Sequence, residues 1–91
     1  MKNLPDLKNE VAELRKVYDK LIAKKNKMEL LIEKREDFHD RKSENWKNSD
    51  KGEDYLGTTS EIQDRFYEFD IELEKLDECI TEIYEISQHE D

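Results

Sequence analysis

Few side chains in this sequence combine the type and the spacing that chemistry needs. Glu36 and His39 stand three residues apart, the interval at which one helix offers a carboxylate and an imidazole on the same side, as in di-iron helical bundles. Such a centre needs a second Glu-x-x-His and further carboxylates, and the other histidine, His89, has Ile86 three residues before it. Glu33 with Glu36, and Glu61 with Asp64, form two carboxylate pairs, each one helical turn apart. Trp46 and Tyr55 would clamp a flat ligand or close one end of a helix pair by apolar contact, and closure is the expected role. Cys79 is the single cysteine, so it has no internal disulfide partner, and no zinc pattern or glycine-rich phosphate loop accompanies it. No catalytic residue, metal ligand or cofactor is expected, and the chain is not read as an enzyme.

The elements that position these side chains are long helices. With 45% charged and 34% apolar residues, two glycines and one proline among 91, the chain lacks the turn-forming residues of a many-stranded β protein. Stepping alternately by four and three from Leu7 gives Leu7, Val11, Leu14, Tyr18, Leu21, Lys25, Met28, Ile32, Arg35, His39, Lys42 and Trp46, of which eight of twelve are apolar. A second stripe runs through Tyr55, Thr59, Ile62, Phe66, Phe69, Leu73, Leu76, Ile80, Ile83 and Ser87, and eight of those ten are apolar. A period of 3.5 residues held over several heptads is a coiled-coil signal. The two stripes are out of phase, which predicts two helices with a break between Trp46 and Tyr55: helix 1 over about 5–47, a turn at about 48–52 and helix 2 over about 53–88. Asn3 or Leu4 would cap the first helix, with Pro5 in its first turn; Ser49 would cap the second, with Asp50 favourable against the helix dipole.

Folding back at Asn48 predicts a single domain, an antiparallel two-helix hairpin that pairs Leu14 with Ile83, Leu21 with Leu76, Met28 with Phe69, Ile32 with Phe66 and Lys42 with Tyr55, and sets His39 toward Thr59. Such a hairpin has a thin core for the entropy of ordering it. Val17, Leu31 and Phe38 widen the apolar face of helix 1 and are the expected flank for a homodimer, two hairpins forming a four-helix bundle.

Charge is divided unevenly. Residues 1–47 carry 13 basic against 10 acidic side chains, and residues 48–91 carry 3 against 15. The acidic half complements the basic one and disfavours direct binding to a nucleic-acid backbone. It also presents Asp64, Glu68, Glu72, Glu78 and Glu82 as a candidate surface for a basic protein partner. No apolar run reaches the roughly 18 residues needed to span a bilayer, so the expectation is a soluble, cytoplasmic protein with no membrane partner. One lone cysteine agrees with a reducing compartment.

Two resemblances bear on function. Glu33-x-x-Glu36 followed by Glu61-x-x-Asp64 is similar to the signature of the all-α nucleotide pyrophosphohydrolases, in which four carboxylates from two helices hold magnesium on a triphosphate. That resemblance implies a magnesium-dependent hydrolase as one alternative. The same spacing recurs at Glu74-x-x-Asp77 and Glu82-x-x-Glu85, as 25 acidic residues in 91 make unavoidable. Around the break, Arg41-x-Ser43-Glu44-x-Trp46-x-x-Ser49-x-Lys51-Gly52-x-x-Tyr55 resembles small uncharacterised helical-hairpin accessory proteins of bacteria and their phages, which implies a hairpin and transfers no active site. The leading expectation is a non-enzymatic protein–protein interaction or regulatory module; the other alternative is an acidic nucleic-acid mimic that inhibits a basic partner.

Overall fold

The computed structural model describes residues 3–89, with side chains from Asp6 onward. Three helices account for nearly all of them: α1 (Asn3–Asp40), α2 (Glu44–Lys47) and α3 (Asp50–His89). No strand occurs among the described residues. Between Pro5 and Asp40, α1 contains no glycine or proline to interrupt it. Asn3 and Leu4, the expected caps, already lie inside this helix.

The break falls earlier than the expected 48–52 and has two parts. First, α1 ends where the Lys42 amide donates to the His39 carbonyl at 3.1 Å, a tightened last turn. Ser43 then starts α2: its backbone is extended, and its hydroxyl accepts from the Trp46 amide at 3.3 Å. This cap, with Glu44 in the first turn, competes with continuation of α1 through Trp46. Ser49 caps α3 as expected, its hydroxyl accepting from the Gly52 amide at 3.2 Å, with Asp50 and Glu53 in the first turn. Gly52 is buried in the first turn of α3. A Cβ there would lie 2.1 Å from the Trp46 carbonyl oxygen and 2.8 Å from the Lys47 Cα, so the end of α2 crosses the start of α3 at a distance only glycine permits.

Where a single domain is expected, contacts fall in two compact units. Unit 1 is formed by the early part of α1, to Lys24, and the late part of α3, from Ile71; unit 2 spans Lys25–Asp70. In unit 1, Val11, Tyr18, Leu73 and Ile80 are buried, and the Tyr18 hydroxyl donates to the Leu73 carbonyl at 3.2 Å. Arg15 pairs with Asp77 at 2.6 Å and donates to the Thr81 hydroxyl at 3.0 Å. In unit 2, Ile32 and Thr59 are buried, Lys25 pairs with Asp70 at 2.8 Å, and Arg35 donates to the Thr59 hydroxyl at 3.0 Å. The Thr59 hydroxyl donates in turn to the Tyr55 carbonyl at 2.9 Å, which accounts for a buried polar residue in the apolar stripe.

These contacts correct the expected pairing. Tyr18 meets Leu73, and Arg35 meets Thr59 and Tyr55, each well displaced along α3 from the partner that folding at Asn48 predicts. Ending α1 at Asp40 moves the midpoint of the connection back, and these partners move with it. His39 accordingly lies against the Trp46 ring, centroids 5.8 Å apart, and Thr59 is taken by Arg35.

Candidate interaction surface

Burial along each helix follows a seven-residue repeat. Every seventh residue of α1 from Val11 gives Val11, Tyr18, Lys25, Ile32 and His39; every seventh of α3 from Gly52 gives Gly52, Thr59, Phe66, Leu73, Ile80 and Ser87. All are buried or half-buried, with Ile80 2% exposed. The alternate members of the four-three stripes are more open: Leu7, Leu14 and Met28 of α1, and Leu76 and Ile83 of α3, are exposed. A pair of straight helices has one line of closest approach, so residues about 50° off that line are half covered. One rotation further round α1 stand Val17, Leu31 and Phe38, the expected dimer flank, at 53%, 56% and 46% exposure. The corresponding positions on α3 include Cys79 and Ile86, both exposed.

In each unit one ion pair joins the helices, Arg15–Asp77 in unit 1 and Lys25–Asp70 in unit 2. Both units also expose apolar side chains. In unit 2 a groove of about 500 Å³ is lined by Met28, Leu31, Ile32, Lys34, Arg35, Phe38, Tyr55 and Ile62. Met28 and Ile62 also line a second groove with Glu61, Arg65, Phe66 and Phe69, so the two grooves form one face. In unit 1 the open positions are Leu7, Leu14 and Val17 of α1 with Leu76, Ile83 and Ile86 of α3.

Aromatic and cationic side chains close one end of the unit 2 face. Trp46 and Tyr55 do meet, centroids 5.9 Å apart, with the Phe38 ring 5.2 Å from Tyr55 and 6.0 Å from Trp46. The Arg35 guanidinium stacks 4.1 Å from the Tyr55 centroid, and the Lys42 ammonium lies 4.5 Å from that of Phe38. His39 is enclosed beside them, and its Nε2 has no hydrogen-bond partner among the described residues.

Among the acidic candidates, Asp64, Glu68, Glu72, Glu78 and Glu82 are all exposed on α3. Glu68 is paired with Arg65 at 2.9 Å and Glu72 with Lys75 at 3.3 Å, both within one turn of α3. Asp70 and Asp77 differ from them, since they turn toward α1 and make the ion pairs described above. That division was not visible in composition, although the seven-residue repeat separates them once the buried line is known. Glu33, Glu36, Glu61 and Asp64 are exposed as well. Among the described residues, no three His, Cys, Asp or Glu side chains converge as a metal site would require. Nor is any described helix long and apolar enough to cross a membrane.

These features define an all-helical protein in which each of two compact units carries exposed apolar side chains beside an ion pair between helices. Compared with protein-family models, curated proteins and solved structures, the chain matches none.

Proposed function

We propose that the chain is a non-enzymatic protein–protein interaction or regulatory module that folds back as an antiparallel coiled-coil hairpin and works as a homodimer, its open apolar side covered by a second copy in a four-helix bundle. One observation carries this reading: Val17, Leu31 and Phe38 of α1, and Leu76 and Ile83 of α3, are outward apolar positions that recur with the same heptad spacing as the buried ones. Scattered surface apolar residues are common, but a repeat in register with the core is what a bundle helix needs. Its flanks are of opposite charge, so a second copy can satisfy both the apolar and the ionic parts of the face. The resemblance at Arg41 to Tyr55 supports a bacterial or phage setting, and the reduced, exposed Cys79 suits the cytoplasm.

Light scattering and a melt at several protein concentrations test the assembly. A dimer mass and a melting temperature that rises with concentration are expected. Leu31→Lys and Val17→Lys should weaken the dimer, whereas Asp19→Lys should leave it intact. A monomer mass at high concentration with a concentration-independent melt removes the bundle.

A second reading is favoured by Asp64, Glu68, Glu72, Glu78 and Glu82, each exposed on α3. We propose this surface as the contact for a basic protein partner, occupied in the manner of a nucleic-acid mimic. Charge raises the encounter rate and salt screens it over roughly 8 to 10 Å. Glu78→Lys with Glu82→Lys should slow partner association and flatten its salt dependence; an unchanged on-rate sinks this reading.

A further inference from the structure

The open face has two edges of opposite charge. In unit 2 the α1 edge carries Lys27 and Lys34, and the α3 edge carries Asp54, Glu61 and Glu68 at the same seven-residue spacing. All five are exposed. Lys34 lines the first groove of unit 2 and Glu61 the second, and those grooves share Met28 and Ile62. A basic edge and an acidic edge therefore border one apolar surface.

None of Lys27, Lys34, Asp54 or Glu61 makes an ion pair within its own chain among the described residues. Within unit 2, the basic edge laid antiparallel on the acidic edge of a second copy brings opposite charges together at both steps, Lys34 with Asp54 and Lys27 with Glu61.

We infer, resting on the homodimer proposed above, that the second copy is turned over about a two-fold axis parallel to the helices, so that α1 of each copy lies on α3 of the other and both α1–α3 connections sit at the same end. Lys34 then faces Asp54 of the second copy and Lys27 faces Glu61, close to the register of contacts such as Arg35 with Tyr55. The competing two-fold, perpendicular to the helices, lays α1 on α1 and sets Lys27 and Lys34 among their own equivalents. Charged edge positions choose partner and orientation in coiled coils by this kind of matching and mismatching.

Two charge-swapped chains test the arrangement. Lys27→Glu with Lys34→Glu sets acid against acid in its own dimer, and Asp54→Lys with Glu61→Lys sets base against base. At low salt each should dimerise at least about tenfold more weakly than the parent, and mixing the two should restore a heterodimer of parental affinity. Circular dichroism of each chain establishes that helicity is retained. Spin labels at Asn45→Cys, in a Cys79→Ser background, read the orientation directly. With helix axes 8 to 10 Å apart, connections at one end put the labels within about 30 Å. Connections at opposite ends separate them by roughly the length of α1, about 57 Å for 38 residues. A dimer with distant labels, or one whose affinity ignores the swaps, overturns the inference and leaves the homodimer standing. A monomer under all conditions overturns both.

Discussion

Replacing each glycine with alanine should move stability in opposite directions, and the sizes follow from what each Cβ would meet. Gly57 lies exposed in α3, with nothing within 4 Å of an added Cβ. Alanine there gains helix propensity and should stabilise by about 0.5–1 kcal/mol. At Gly52 the same gain is opposed by a Cβ 2.1 Å from the Trp46 carbonyl oxygen. Ordinary contact requires α2 to retreat by about 1 Å from α3. The Trp46 carbonyl accepts from the Ser49 amide and hydroxyl, and the Ser49 hydroxyl caps Gly52. Losing the cap costs about 1 kcal/mol and each further hydrogen bond a similar amount, so Gly52→Ala should destabilise by about 1–3 kcal/mol after the propensity gain. Near 90 residues, 1 kcal/mol shifts the melting temperature by roughly 4–8 °C. Helicity melts at one fixed protein concentration, with Trp46 fluorescence reporting the connection, should therefore separate the variants by about 6 °C or more. If Gly52→Ala melts at or above Gly57→Ala, the close crossing of α2 over α3 is wrong.

Two further outcomes probe the packing. In a Cys79→Ser background, Leu14→Cys with Leu76→Cys should oxidise within one chain, whereas Leu21→Cys with Leu76→Cys should not, because only the first pair matches the register of Arg15–Asp77 and Tyr18–Leu73; the reverse result, read on a reducing against a non-reducing gel, would restore the pairing expected for a fold at Asn48. His39→Leu should raise stability by about 1 kcal/mol in a urea melt, since it removes a buried nitrogen that has no partner among the described residues; a clear loss would show that the imidazole is satisfied in the assembled protein.

Helix content, the identity of the two long helices and the Ser49 cap were all legible in residue order, because each is a local property. Apolar spacing at 3.5 residues excludes strands, and Ser49 followed by Asp50 is a start signal in any context. Where α1 stops was less legible. Lys42 and Trp46 continue the four-three stripe, and the competing start at Ser43 offers a single hydroxyl against that long pattern. This one misplacement carried the cross-helix pairing with it, since an antiparallel register is set by its connection. Gly52 shows the same limit: its residue type is visible, but the need for glycine arises from the Trp46 carbonyl, fixed only when α2 crosses α3.

The stripe residues held a subtler ambiguity. A four-three repeat marks a broad face without saying which member of each pair touches the neighbour and which waits for another. Val11 and Leu14 are equivalent by type, yet Val11 is 4% exposed and Leu14 41%. The polar residues resolve the difference. Arg15 and Asp77, one step to one side of the buried line, are tied to each other, so that side is closed by side chains of the same chain. In unit 2, Lys34 and Glu61 make no ion pair among the described residues and line grooves that are largely apolar. An isolated pair of helices would gain little from keeping Leu31 there, since more than half of it stays in water. A second copy gives that arrangement a physical reason, burying the apolar positions while pairing the charged edges that frame them.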